Sequence, residues 1–164
     1  EYKAMIESGR KGLIAKAANF VHEESSLLGK SIQAEAYRKG IGVVLDGVNG
    51  GSLEKVSKKI DGIRAASGKK VRADYVTLDT DLSLKLAQAR AGKTGRVVPE
   101  NFIKESNRNI AELIPQLIDE KVFDELYLWD TNVNGTPRLI LKMINGKLEV
   151  IEPELYQNFL NKAK

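Results

Sequence analysis

The segment VRADYVTLDTDLSLKLAQAR, residues 71–90, joins two kinds of hydrophobic pattern, and the predicted fold class rests on that change. Residues Val71–Leu78 favour a β-strand. Thr80 is a predicted helix N-cap, and Asp81 follows it in the first turn, where the helix dipole favours an acidic side chain. One face of this predicted helix packs against the core and is formed by Leu82, Leu86 and Ala89. The segment therefore predicts a strand followed by a helix.

The sequence before this segment repeats the same alternation. Ile41–Leu45 is a continuous apolar run that ends at Asp46, and such a run is typical of a strand buried on both faces of a parallel sheet. A helix is predicted over residues 23–39 and is expected to end at Gly40, because glycine commonly follows the last turn of a helix. A further helix is predicted to begin after the N-cap Ser52 and to end at Gly68.

The sequence after the segment predicts a long helix and then a hairpin. The helix is expected to begin at Pro99-Glu100, and Pro115 is expected to kink it or to divide it in two. Arg138–Ile144 and Lys147–Ile151 flank Asn145-Gly146, a pair that strongly indicates a two-residue β-turn. A terminal helix is predicted over residues 153–160. The 164 residues fit one domain. We predict an α/β fold of three layers, with a mostly parallel sheet flanked by helices and a C-terminal β-hairpin.

The composition excludes several classes of function. Cysteine is absent, which excludes disulfides and thiolate metal sites. The single histidine, His22, argues against a Ser-His-Asp triad and a histidine-rich metal centre. The apolar runs are far too short to span a bilayer. We therefore predict a cytoplasmic protein without a membrane partner.

The net charge of +4 is compatible with nucleic acid or with phosphorylated small molecules as partners. A basic cluster that would suit nucleic acid consists of Lys55, Lys58, Lys59, Arg64, Lys69, Lys70 and Arg72. No aromatic residue is interleaved with this cluster to stack on bases, and the lysines lie on the polar side of a predicted helix, as solvated residues do. We therefore predict no nucleic-acid partner.

A second segment, AQARAGKTGRVVPE at residues 87–100, contains the end of a Walker A phosphate loop, G-x-x-x-x-G-K-[ST]. Ala87 replaces the first glycine, and the motif follows a predicted helix, whereas a phosphate loop lies between a strand and a helix. The segment is therefore not a Walker A loop. It is predicted to be a loop from which Arg90, Lys93 and Arg96 project. The alternatives for such a loop are a lid that closes on a polyphosphate and a solvated basic loop.

Four ordered motifs in the chain resemble those of zeta-toxin-type kinases. They are His22-Glu23-Glu24-Ser25, Val43-Val44-Leu45-Asp46-Gly47, Arg90 followed by Thr94-Gly95-Arg96-Val97-Val98-Pro99, and Leu128-Trp129-Asp130-Thr131-Asn132. The resemblance implies a P-loop kinase fold that uses ATP and Mg²⁺ to phosphorylate a small molecule. The best-known members of the family act on UDP-N-acetylglucosamine. An antitoxin protein is a further partner that the resemblance implies.

The resemblance also implies the site residues. Glu24, Asp46 and Asn49 would bind the substrate, and Asp46 would in addition lie near the metal. The catalytic residues would be Arg90 and Arg96, which with Lys93 would bind the phosphates of ATP. Acidic residues near position 22 equally suit the N-terminus of a helix. An acid at the end of a buried strand is harder to explain by packing, because an unpaired buried charge is costly.

The sequence departs from the family pattern in three places. It contains neither a Walker A loop on a first strand nor the catalytic aspartate that follows the second strand, and Val48 stands where a threonine is usual. Three explanations are open. The chain is a fragment of a longer kinase, or it is an inactive relative whose sheet has closed around the position of the missing P-loop strand, or it is not a member of the family. We expect a partial kinase domain over residues 1–164 that lacks its N-terminal P-loop strand and is inactive alone. The alternative is a catalytically inactive kinase-like binding module of a larger protein.

Overall fold

The computed structural model describes residues 7, 22–47, 50–95, 97–133 and 136–164, and of His22 it describes the backbone only. The described elements, in chain order, are α1 (His22–Arg38), α2 (Leu53–Ser67), β1 (Arg72–Thr77), α3 (Thr80–Thr94), α4 (Glu100–Asp119), β2 (Glu125–Asp130), β3 (Arg138–Ile144), β4 (Lys147–Val150), α5 (Pro153–Leu160) and a 3₁₀ turn (Asn161–Ala163). No helix in this part of the chain is long and apolar enough to cross a membrane.

The four described strands form one sheet in the order β1-β2-β3-β4. β1 and β2 are parallel, with Arg72 opposite Glu125 and Thr77 opposite Asp130. β2 pairs antiparallel with β3, and β3 pairs antiparallel with β4. The predicted α/β class and the C-terminal hairpin are confirmed. Within the described sheet the parallel pairing is limited to β1 and β2.

One face of the sheet is buried beneath helices. Alternate side chains of β1 are buried, namely Ala73, Tyr75 and Thr77. Ala73 and Tyr75 belong to a hydrophobic core to which α2, α4 and α5 all contribute. The largest helical share comes from α4, with Ala111, Leu113, Ile114, Leu117 and Ile118. Because buried apolar area contributes roughly 25 cal/mol per Å² to folding, this layer is the main source of stability in the described part of the chain.

Several element ends lie where the sequence predicts them. The Ser52 side chain accepts a hydrogen bond from the Lys55 N–H at 3.3 Å and so caps α2. The same helix ends at Gly68, whose φ of 64° is left-handed. Asn145 and Gly146 form the hairpin turn with φ values of 50° and 74°. Positive φ at both turn positions matches the twist of the flanking strands, which is why Asn-Gly indicates this turn.

Pro115 does not divide the long helix, contrary to one of the predicted outcomes. α4 is a single helix from Glu100 to Asp119 with Pro115 inside it. Proline removes one backbone hydrogen bond. The apolar face on either side of Pro115 is nevertheless buried, and packing of that face outweighs the lost bond.

The predicted buried strand at Ile41–Leu45 is wrong. These residues have no regular structure, and the side chains of Ile41 and Val44 are 54% and 96% exposed. A strand needs a neighbour for its backbone N–H and C=O groups. The described sheet ends at β1, and no described strand pairs with the outer edge of β1. Among the described residues, the apolar run pairs with no strand and therefore lacks the ladder of hydrogen bonds that defines one.

The prediction that α3 packs against the core is also wrong. No residue of α3 is buried, and Leu86, which was expected to face the core, is 54% exposed. The main packing partner of α3 is α4. No residue of α3 belongs to the hydrophobic core, and the apolar stripe of α3 is only partly covered.

Candidate functional site

The carboxyl ends of the two parallel strands carry a cluster of polar side chains. Thr77 and Asp130 are the last residues of β1 and β2, lie opposite each other in the register, and are 7% and 2% exposed. In open α/β sheets, ligands bind outside the carboxyl ends of parallel strands. This edge of the sheet is therefore the place to look for a site.

Asp130 is a buried carboxylate held by two partners. Arg138 donates from Nη2 to Oδ2 of Asp130 at 2.8 Å, and Asn132 donates from Nδ2 to Oδ1 at 2.5 Å. A buried charge is tolerated when it is paired and hydrogen-bonded. These contacts fix the chain immediately after β2 on the same edge as the end of β1.

The chain between β1 and α3 is anchored to the end of β2. Thr131 donates to the carbonyl of Thr77 from both its N–H and its hydroxyl, each at 3.0 Å. The Asp79 N–H donates to Asn132 Oδ1 at 2.7 Å. Asp79 in turn caps α3, because its Oδ1 accepts from the Leu82 N–H at 3.0 Å. The observed N-cap is thus Asp79, and the predicted cap, Thr80, is the first residue of the helix.

A lysine from the C-terminal 3₁₀ turn reaches the same place. Nζ of Lys162 donates to Oγ1 of Thr77 at 2.7 Å and to the carbonyl of Leu78 at 2.6 Å. Burial lowers the pKa of Lys162, and the nearby carboxylates of Asp79 and Asp130 act in the opposite direction. The carboxyl end of β1 is therefore bound by side chains from two distant parts of the sequence.

A cleft of about 350 Å³ opens between α3 and α4 at this end of β1. It is lined by Leu78, Ser83, Leu86, Ala87, Arg90, Val98 and Ile103. Arg90 is the only charged residue among them, so the cleft combines mostly apolar walls with one guanidinium group. Such a group can hold a phosphate or carboxylate through two parallel hydrogen bonds.

The Gly92-Lys93-Thr94 motif lies in the last turn of α3, and Gly95, with a φ of 75°, caps that end. Arg90 and Lys93 therefore project from a helix, and the prediction that a loop carries them is wrong. The carboxyl end of a helix dipole is negative and does not attract phosphate through its backbone. The placement agrees with the prediction that this motif is not a Walker A loop. Arg96 lies outside the described residues.

Two further predicted site residues that the structure describes, Glu24 and Asp46, do not line this cleft. Glu24 is exposed in the first turn of α1, a position that also suits an acidic side chain for the sake of the helix dipole. Asp46 is exposed in the coil after Leu45, so it does not end a buried strand as predicted. Asn49 lies outside the described residues. No hydrogen bond or ion pair between described residues links Glu24, Asp46, Arg90 and Lys93 to one another.

Sequence reasoning did not assign most of the polar cluster. The side chains that it overlooked are Thr77, Asp79, Asp130, Asn132, Arg138 and Lys162. Asp130 and Asn132 carried a usable signal, because they directly follow a predicted strand and lie in one of the family motifs. Lys162 carried none, since its partners are 84 and 85 residues away in the sequence.

Within the described part of the chain, no group of three or more His, Cys, Asp or Glu side chains is arranged to hold a metal ion. Mg²⁺ binds through one or two carboxylates together with substrate phosphates, so a single carboxylate such as Asp46 fits its donor preference.

The chain is similar to one solved structure and matches one protein family. It is similar to a chain in the crystal structure of AvrRxo1-ORF1 and ORF2 with ATP, with a TM-score of 0.69 and 18% sequence identity. The similarity covers 94% of this chain and 52% of the other, so the chain spans about half the length of that relative. No functionally curated protein matches the sequence. The zeta toxin family model matches residues 1–134. The chain therefore belongs to the zeta toxin family.

Proposed function

We propose that the chain is the substrate-site and lid portion of an ATP-dependent phosphotransferase. The observation that carries the proposal is Arg90, which lines a cleft at the carboxyl end of β1 in a member of the zeta toxin family. The similar fold in a structure with ATP supports it. The described chain supplies the cationic side of the site, while the sequence contains no complete Walker A motif.

The chemistry of phosphoryl transfer suits an arginine in this place. Catalysis of this reaction consists mainly of positioning and of stabilising the charge that develops on the transferred group. Arg90 and Arg96 are the proposed catalytic residues, and Lys93 adds a second cation on α3 for the phosphates of ATP. Mg²⁺, when bound, would neutralise phosphate charge, and Asp46 is the proposed ligand.

The proposed acceptor is an alcohol group of a small molecule, with a UDP-sugar as the first compound to try. Glu24, Asp46 and Asn49 are the residues proposed to bind it. The relative's structure contains the products of two reading frames, ORF1 and ORF2. We include a protein partner of the antitoxin type, and the cytoplasm as compartment, in the same proposal.

The test is transfer of phosphate from ATP to UDP-N-acetylglucosamine or nucleosides by the complete product of the gene that encodes this chain. We expect Arg90→Ala to lower kcat by about 100-fold, because an arginine that stabilises transferring phosphate is worth at least that much. Lys85→Ala is the matched control, since Lys85 is an exposed cation of α3 that does not line the cleft. Equal activity of the two variants would refute the assignment of Arg90.

The same assay decides between the kinase and its alternative. The 164-residue chain alone is expected to be inactive, because no Walker A loop is present to hold ATP. Activity of this polypeptide by itself would contradict that expectation. If the complete gene product also lacks both activity and a Walker A motif, the inactive kinase-like binding module is the correct description.

A further inference from the structure

We propose that Lys162 is a positioning residue, which fixes the junction between β1 and α3 and thereby holds Arg90 at the cleft. This inference rests on the proposed role of Arg90. It concerns a residue outside the segment that matches the zeta toxin family model, which ends at residue 134.

The side chain of Lys162 contacts the end of β1 directly. The ammonium group of Lys162 donates to Oγ1 of Thr77 at 2.7 Å and to the carbonyl of Leu78 at 2.6 Å. Both acceptors lie where β1 ends, and Leu78 lines the cleft together with Arg90. A half-buried lysine loses solvation and side-chain freedom, which costs free energy. Its two short hydrogen bonds offset part of this cost and fix the ammonium group at the segment that lines the cleft.

Within the described part of the chain, buried side chains constrain the direction of α3 only weakly. None of its residues is buried, in contrast to the five buried residues of α4. Its start is held by the Asp79 cap and by the contact between Asp79 and Asn132. With so little side-chain packing, the orientation of α3 depends on how firmly the β1 end and the cap are anchored.

Arg90 lies far along α3 from the end at which the helix is anchored. Arg90 follows Asp79 by eleven residues, which is about 16 Å along a helix. A tilt of about 5° at the start of α3 would therefore move Arg90 by about 1.4 Å. A displacement of about 1 Å of a group that acts in the transition state can lower the rate by 100-fold. Loss of the Lys162 anchor is thus expected to reduce catalysis without removing any group from the cleft.

A double-mutant cycle in the complete gene product tests this coupling. Lys162→Met is expected to lower kcat of phosphoryl transfer by about tenfold or more and to change KM by less than about twofold. The same substitution in the Arg90→Ala variant is expected to cause no further loss, because Lys162 acts through Arg90. Additive losses, or a Lys162→Met variant with the kcat of the parent, would overturn the proposal.

Two matched variants separate positioning from general damage. Lys162→Arg retains a cationic donor and is expected to recover most of the lost kcat. Lys164→Met removes an exposed cation of the C-terminal segment that contacts only Asn161 among the described residues, and is expected to have the kcat of the parent. A loss of the same size in Lys164→Met would show that the turn matters for stability alone and would overturn the proposal.

A second measurement keeps the inference testable if the gene product transfers no phosphate. Amide hydrogen exchange is followed in this chain for α3 and α4. Lys162→Met is expected to accelerate exchange in α3 by several-fold while exchange in α4 stays unchanged, because the ammonium group of Lys162 bonds to the chain that leads into α3 and the substitution keeps an unbranched side chain of similar length beside α4. Unchanged exchange in α3 would overturn the inference. Absence of phosphate transfer by the gene product would overturn only the proposed function.

Discussion

At the scale of single residues, Asp124 connects several elements of the described structure through hydrogen bonds. Its Oδ2 accepts from the N–H of Val71 at 2.8 Å and from Nη2 of Arg64 at 3.1 Å. Its backbone N–H donates to the carbonyl of Val71, and its carbonyl accepts from the N–H of Asn145. One aspartate thus joins α2, the start of β1, the start of β2 and the hairpin turn. Nothing local in the sequence identifies it, since all of these partners are distant.

The pKa of Asp124 gives a prediction for acid. The N–H of Val71 lowers it most, and Arg64 lowers it further, so it lies below the ordinary value of 3.8. A carboxyl with a depressed pKa stabilises the fold above its unfolded-state pKa, and this stabilisation is lost as the pH falls through the folded-state pKa. We expect Asp124→Asn to lower the free energy of unfolding by about 2 kcal/mol at neutral pH, and by progressively less below pH 3.8.

Urea unfolding at several pH values measures this difference. Asp61→Asn is the control, because Asp61 faces the same Arg64 but its side chain is 75% exposed. An exposed pair of this kind contributes at most about 0.5 kcal/mol. A difference between parent and Asp124→Asn that stays constant with pH would contradict the assigned cause.

At the scale of elements, α3 and α4 show how much of the fold the sequence predicts. The apolar periodicity of α4 predicts a buried stripe, which holds at Leu113, Ile114, Leu117 and Ile118 but fails at Phe102, which is 52% exposed. The shorter stripe of α3 predicts burial that does not occur. Caps and turns such as Ser52, Gly68 and Asn145-Gly146 are predicted well because they depend on local backbone geometry. Ile41–Leu45 is mispredicted because a strand depends on a neighbour that local sequence cannot supply.

This contrast between the two helices predicts unequal costs of truncation. Leu117 is 0% exposed in α4, and Leu117→Ala is expected to lower the free energy of unfolding by about 3 kcal/mol through the cavity it leaves. Leu86 is 54% exposed in α3, and Leu86→Ala is expected to cost less than about 1 kcal/mol. Chemical denaturation of the two variants checks this ratio. Similar losses would mean that α3 is packed as firmly as α4.

At the scale of the whole molecule, the candidate site was less predictable than the fold. Arg90, which lines the cleft, can be singled out from the sequence because a glycine-flanked basic segment is a local signal. The network of Thr77, Asp130 and Lys162 assembles residues from three separate regions, and only the folded chain brings them together. The outer edge of β1 is also a property of the whole molecule, because no described strand pairs with it. Val76, a residue of β1, is 63% exposed.

Because β1 is the outermost of the described strands, we expect the isolated chain to self-associate. Unpaired strand edges pair with other molecules unless a charge or another obstacle prevents it. Val76→Lys is expected to reduce the concentration-dependent increase in mass seen by light scattering. Val133→Lys is the control, since Val133 is 54% exposed but lies outside the strands. An equal effect of both substitutions would show that general hydrophobicity, and not the edge, drives association.

The position of β1 at the end of the described sheet has a consequence for the life of the chain in a cell. Where no other strand covers it, the outer edge of β1 and the apolar side chains beside it offer a binding surface to chaperones and proteases. The quantity of chain that a cell accumulates should then depend on whether a pairing strand is supplied, whatever the enzymatic activity of the chain. Co-expression with a polypeptide that completes the sheet would raise the yield and lengthen the half-life of the chain.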